Sequence, residues 1–109
     1  MEYPKMISSL PMADIPFKGV KGWLLQGAAQ QLVFMEIEAV GDVPEHSHGA
    51  QFGIVLDGEM TLTVGGSRHK YRKGDTYYIP ANMPHSAVFH TKVYVIDFFD
   101  ERERYKVRT

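Results

Sequence analysis

Met60-Thr61-Leu62-Thr63-Val64-Gly65-Gly66-Ser67-Arg68-His69-Lys70-Tyr71 is the stretch whose reading decides the fold. Two short runs flank a Gly-Gly pair, and glycine reaches the positive φ that a tight primed turn needs, so the stretch predicts a β-hairpin. Outward from it, turn residues punctuate the chain at short intervals. Asp57-Gly58 closes the mostly apolar run 50–56, and Lys73-Gly74-Asp75 precedes a run at 76–79. Residues 86–99 supply further strands beyond Pro80-Ala81-Asn82-Met83-Pro84. On the N-terminal side, 31–40 alternates. Val33, Met35, Ile37 and Ala39 share one face and Phe34, Glu36, Glu38 and Val40 the other, the period of a half-buried strand, until Gly41-Asp42 breaks it. Many short strands with no helical stripe and no internal repeat predict an all-β sandwich or barrel. A closed architecture suits so short a chain because it removes exposed edges.

A chain of 109 residues is one domain by length, and with 44% of them hydrophobic it can bury a core. Its 12 basic and 13 acidic residues nearly cancel, which leaves no electrostatic footprint for nucleic acid. The absence of cysteine excludes disulfides, thiolate metal sites and cysteine nucleophiles. No apolar run approaches the roughly 18 residues a membrane span requires. Pro4, Pro11, Asp14 and Pro16 interrupt anything resembling a leader, so a soluble cytoplasmic protein is expected. Residues 1–30 are read as an N-terminal arm packing on the barrel and 31–109 as the barrel itself. The alternating signs of Asp100-Glu101-Arg102-Glu103-Arg104 read as a solvated tail rather than a binding stripe.

The chemical signal lies in Glu45-His46-Ser47-His48-Gly49-Ala50-Gln51 and, separately, in His85. Residues two apart in an extended chain point the same way, so His46 and His48 project together while Glu45 and Ser47 face away. Two imidazoles converging from one strand begin a transition-metal site. Gly41, His46, His48, Gln51 and Gly58 follow one another in the order of the first motif of the cupin superfamily, six residues separating Gln51 from Gly58. Gly74, Pro80, Asn82 and His85 keep the intervals of its second motif. The chain therefore resembles a small single-domain cupin over about residues 32 to 100. It departs from the pattern in five places, one being Phe89, where some members have a polar residue. The Gly41–His46 interval and the interval after His48 are each one residue short. Gln51 stands for a glutamate, and Asn82 stands for a glycine, a position asparagine tolerates because it reaches left-handed backbone.

The resemblance implies a jelly-roll double-stranded β-helix barrel holding a divalent metal ion through His46, His48 and His85, with Gln51 as the fourth ligand. A glutamine amide is a neutral donor, so the ion would keep its full charge. Zn, Fe or Ni is then favoured over Mn, and an anionic small molecule is expected in the open positions. The resemblance also implies a metalloenzyme of dioxygenase, isomerase or lyase type, the alternatives being a non-catalytic metal-dependent ligand-binding module or a metal-free structural dimer. A homodimer is expected, with no nucleic-acid or membrane partner. No acid or base beyond the ligands stands out. By strand parity Ala87 and Phe89 point inward and Ser86, Val88 and His90 outward. Gly53 and Val55 share the face of Gln51, Phe52 and Ile54 take the other, and only one of Tyr77 and Tyr78 faces the cavity. Trp23 is read as core or dimer contact, and His69, Glu36 and Glu38 as solvent-exposed.

Overall fold

The structure, a computed structural model, describes residues 1–39 and 41–109. Val40, where the predicted alternation ends, lies outside the described residues. Among those residues, nine antiparallel strands form a jelly roll of two sheets. The five-stranded sheet has the order β1 (Val20–Gln26), β2 (Gln31–Ile37), β9 (Val93–Phe99), β4 (Gln51–Asp57), β7 (Thr76–Ile79). The four-stranded sheet has the order β3 (Gly41–His46), β8 (His85–Phe89), β5 (Glu59–Val64), β6 (Ser67–Arg72).

The alternation in β2 survives folding, with Val33, Met35 and Ile37 buried, while Ala39 lies beyond the strand end and is exposed. Val33, Val55, Val93 and Val95 are fully buried inside the barrel, each contributing roughly 1.5–3 kcal/mol of burial free energy. The predicted hairpin is β5–β6, closed by Val64↔Ser67, with Gly65 and Gly66 at φ 55° and 88°. Asn82 takes φ 62°, as its place in the second motif requires. The register of β3 against β8 shifts between Val43 and His46, the irregularity that contains Pro44. Proline lacks a ladder donor, but β3 is an edge strand, where that loss is tolerated. The shift brings His46 opposite His85.

Within residues 1–30, Val20–Gln26 is an edge strand paired along its length with β2, and one helical turn, α1 (Lys5–Ser8), precedes it. Tyr3 packs edge-on against Trp23, Phe34 and Tyr94 on the outer face of the five-stranded sheet. Its hydroxyl donates to the carbonyls of Met35 and Val95. Trp23 is thus half-buried beneath the N-terminal segment and is not part of the core. Glu36 is also half-buried rather than exposed, because Lys21 and Lys92 stand 3.6 and 3.8 Å from its carboxylate. Glu38 and His69 are exposed as expected.

The tail is only partly solvated, which corrects the reading drawn from its charges. Asp100, Arg102 and Glu103 are exposed, but Tyr105 is buried and Glu101 and Arg104 are half-buried. The buried amide of Gln31 holds this segment from both sides: its Nε2 donates to the Tyr105 carbonyl at 2.8 Å, and its Oε1 accepts from the Tyr105 N–H at 3.0 Å. A bridge from Ala13 to Val107 secures the end. No helix among the described residues is long and apolar enough to cross a membrane.

Candidate metal centre

His46 closes β3, His48 follows it by two residues, and His85 opens β8 directly after the Pro80–Pro84 turn. The fold brings all three together. Ring centroids lie 4.3 Å apart for His46 and His85, 4.6 Å for His48 and His85, and 5.3 Å for His46 and His48. One ring nitrogen from each falls within 4.8 Å of the others. Glu45 and Ser47 face solvent, as the parity argument predicts.

Each imidazole is held by a backbone carbonyl close to it in sequence. Nδ1 of His46 lies 2.9 Å from the oxygen of Pro44, Nδ1 of His48 lies 2.8 Å from that of Gly49, and Nδ1 of His85 lies 2.9 Å from that of Met83. A carbonyl only accepts, so in each pair Nδ1 carries the proton. In the neutral ring that leaves the lone pair on Nε2, the state a metal ligand needs. Burial holds His48 neutral, taking its pKa from 6.5 down to about 4, and the charges of Arg104, His85 and His46 act in the same direction. Burial likewise lowers His85, again with His46 and Arg104 contributing. Three oriented imidazoles fit a divalent transition ion by donor chemistry.

The histidines line a cavity of about 70 Å³, with Gln51, Tyr77, Asp97 and Arg104 among its other walls. This is several times the roughly 10–15 Å³ one water needs. Ala87 and Phe89 line it too, and Ser86, Val88 and His90 do not, as predicted. Of the two tyrosines, Tyr77 is buried and Tyr78 exposed. Gly53 seats the Tyr77 ring, because a Cβ there would lie 2.2 Å from Tyr77 Cζ. The Tyr77 hydroxyl donates to Asp97 Oδ1 at 2.6 Å, and both groups are buried. Burial raises Asp97 from 3.8 to about 6, opposed by hydrogen bonds from Tyr77 and Gln51.

Asp97 and Arg104 were not singled out from sequence. A signal for Asp97 existed: Val93, Val95, Asp97 and Phe99 share one strand face, so a carboxylate sits at an inward apolar position. Arg104 lies in irregular chain, where no periodicity points. Its guanidinium stands 4.3 Å from the Tyr105 ring centroid and 5.8 Å from that of Phe99. Glu101 accepts from the Gly49 N–H at 2.6 Å, pinning the tail beside His48.

The family described as Cupin_2, cupin domain, matches residues 33–99, more than half the chain. The chain belongs to the Cupin_2 family. Solved cupin structures share its fold at low identity. An RmlC-like cupin from Shewanella frigidimarina has 21% identity and a TM-score of 0.78, over 95% of this chain and 92% of that one. KdgF from a Halomonas species has 18% identity and a TM-score of 0.71, over 84% and 87%. Salicylate 1,2-dioxygenase from Pseudoaminobacter salicylatoxidans, solved with gentisate, has 18% identity and a TM-score of 0.71, over 79% of this cupin but 26% of that longer chain. A search of curated protein sequences gives no match.

Proposed function

We propose that this cupin holds one divalent metal ion through His46, His48 and His85, with Gln51 as fourth ligand, and acts on a small anionic or oxygen-bearing substrate. The observation that carries the reading is the cluster of three imidazoles, ring nitrogens within 4.8 Å of one another, each with its Nδ1 against a backbone carbonyl. Zn, Fe or Ni suits this neutral donor set better than Mn. When bound, the ion supplies Lewis-acid polarisation, or redox chemistry if it is iron. The chain's own residues do the rest: Tyr77 holds Asp97 in the cavity wall, and the apolar walls exclude bulk water. The dioxygenase, isomerase or lyase form is favoured over a passive binding module by the buried Tyr77–Asp97 pair, which places a proton-bearing hydrogen-bond pair in the cavity wall. The salicylate dioxygenase among its structural neighbours is a precedent for small carboxylate ligands on this fold.

Elemental analysis of tag-free protein, beside a His46→Ala/His85→Ala control, tests the metal. About one ion per chain, lost in the control, supports the reading. No retained metal after reconstitution with Fe²⁺, Ni²⁺ and Zn²⁺ overturns it. A homodimer belongs to the same proposal. Leu25, Phe98, Phe52 and Tyr78 form an exposed cross-strand row on the five-stranded sheet, where a copy would sit.

A further inference from the structure

Arg104 brings a guanidinium to the wall of a cavity whose other charged lining residue is Asp97. Its Nε is buried and has no hydrogen-bond partner. Among the described residues no carboxylate lies within 4.0 Å of it in an ion pair. The two acids nearest in role are engaged elsewhere. Asp97 accepts from Tyr77, and Glu101 accepts from Gly49. Meanwhile the Tyr105 ring lies against the guanidinium and fixes its plane, and Gln31 fixes Tyr105 through both backbone groups. A donor so held, desolvated and left without an acceptor is costly unless something completes it, since buried N–H groups are almost always paired.

We propose that Arg104 recognises the carboxylate of a small organic acid, its Nε–H and one terminal N–H donating to the two carboxylate oxygens. The planar fork of arginine matches a carboxylate in this bidentate way, whereas lysine offers only a point charge. The cavity volume limits the enclosed part of the ligand to a few non-hydrogen atoms, so the acid is compact or enters carboxylate first. Arg104 adds to that cavity wall a fixed cation that would prefer an anion to a neutral molecule of the same shape, beside the metal proposed there. This deepens the proposed function by naming its substrate class, and it rests on that reading for the metal that shares the cavity.

The test uses zinc-loaded full-length protein and follows the Arg104 Nε–H resonance by ¹⁵N-edited NMR. Acetate is titrated against acetamide, its neutral shape match. Acetate should move the resonance saturably and acetamide should not. Arg104→Gln should weaken acetate binding about 10- to 100-fold, the loss expected of a charge-assisted pair, while zinc content stays at that of the unsubstituted protein. Arg104→Lys, which keeps the charge, should fall between the two. Equal acetate affinity in the unsubstituted and Arg104→Gln proteins, with zinc retained by both, overturns the assignment. If zinc is not retained at all, the metal reading fails by itself. The Nε–H response to acetate in the metal-free protein then decides this inference separately.

Discussion

Asp97→Asn should change how stability depends on pH, and the structure gives both the sign and the size. Asp97 is 3% exposed, and burial lifts its pKa from 3.8 to about 6. Between about pH 4 and pH 6 the folded protein therefore keeps this proton while the unfolded chain has released it. The folded state binds more protons, so this group makes stability fall as pH rises through that window. Two pH units at about 1.4 kcal/mol each amount to about 3 kcal/mol. His48 acts oppositely. Its folded pKa is about 4 against 6.5 unfolded, so it makes stability rise over much the same range. The unsubstituted protein should consequently show a shallow profile in which the two opposing slopes offset each other. Asp97→Asn removes one of them and should expose a rising curve. At about 4 °C per kcal/mol for a domain of this size, the two melting profiles should separate by on the order of 10 °C between pH 4 and pH 6.5. Circular dichroism melts of chelator-treated protein across that range measure it. Parallel profiles for the two proteins would refute the argument that burial, not the hydrogen bonds, governs this carboxyl.

Zinc at 100 times its dissociation constant should stabilise the folded protein by about 2.7 kcal/mol, read as a rise in melting temperature that His85→Ala abolishes. Gly53→Ala should cost about 1–3 kcal/mol in chemical denaturation, because its Cβ would overlap the Tyr77 ring, which has no room to move within the packed barrel. Gln31→Leu leaves a buried N–H and carbonyl of Tyr105 unpaired, and should cost about 1–3 kcal/mol for each. It should also weaken acetate binding by loosening the segment that carries Arg104. Phe52→Ser with Phe98→Ser touches only the outer face. Chain stability should stay within roughly 0.5 kcal/mol per site, while sedimentation equilibrium should show a dimer for the unsubstituted protein, as proposed, and a monomer for the variant.

The strands were legible because period-two patterning and turn glycines are local signals, and burial on one face enforces both. The hairpin at Gly65-Gly66, the inward Ala87 and Phe89, and the shared side of His46 and His48 follow from residues within a few positions of one another, whereas the approach of His85 is implied by the cupin motifs. What escaped the reading has a nonlocal cause. Trp23 looks like a core residue until Tyr3, twenty positions away, is seen to cover it on the outer face. Charge alternation in 100–104 looks solvated, and for three of its five residues it is. Glu101 is drawn inward by the Gly49 N–H, and the segment that carries Arg104 is drawn inward by Gln31, which holds Tyr105 through both backbone groups. No window of sequence contains both ends of such a contact.

Gln31 and Gly49 fasten the chain beyond β9 to the barrel, with Tyr105 buried against its core. The three clustered imidazoles come from the strands and their turns, whereas among the described residues the one guanidinium in the cavity wall comes from this appended piece. Inheritance can therefore act on the two independently. Exchange of a handful of terminal residues would retune which molecules the protein accepts without disturbing its scaffold, so chains with near-identical barrels and divergent ends are where changes of chemical appetite should be sought.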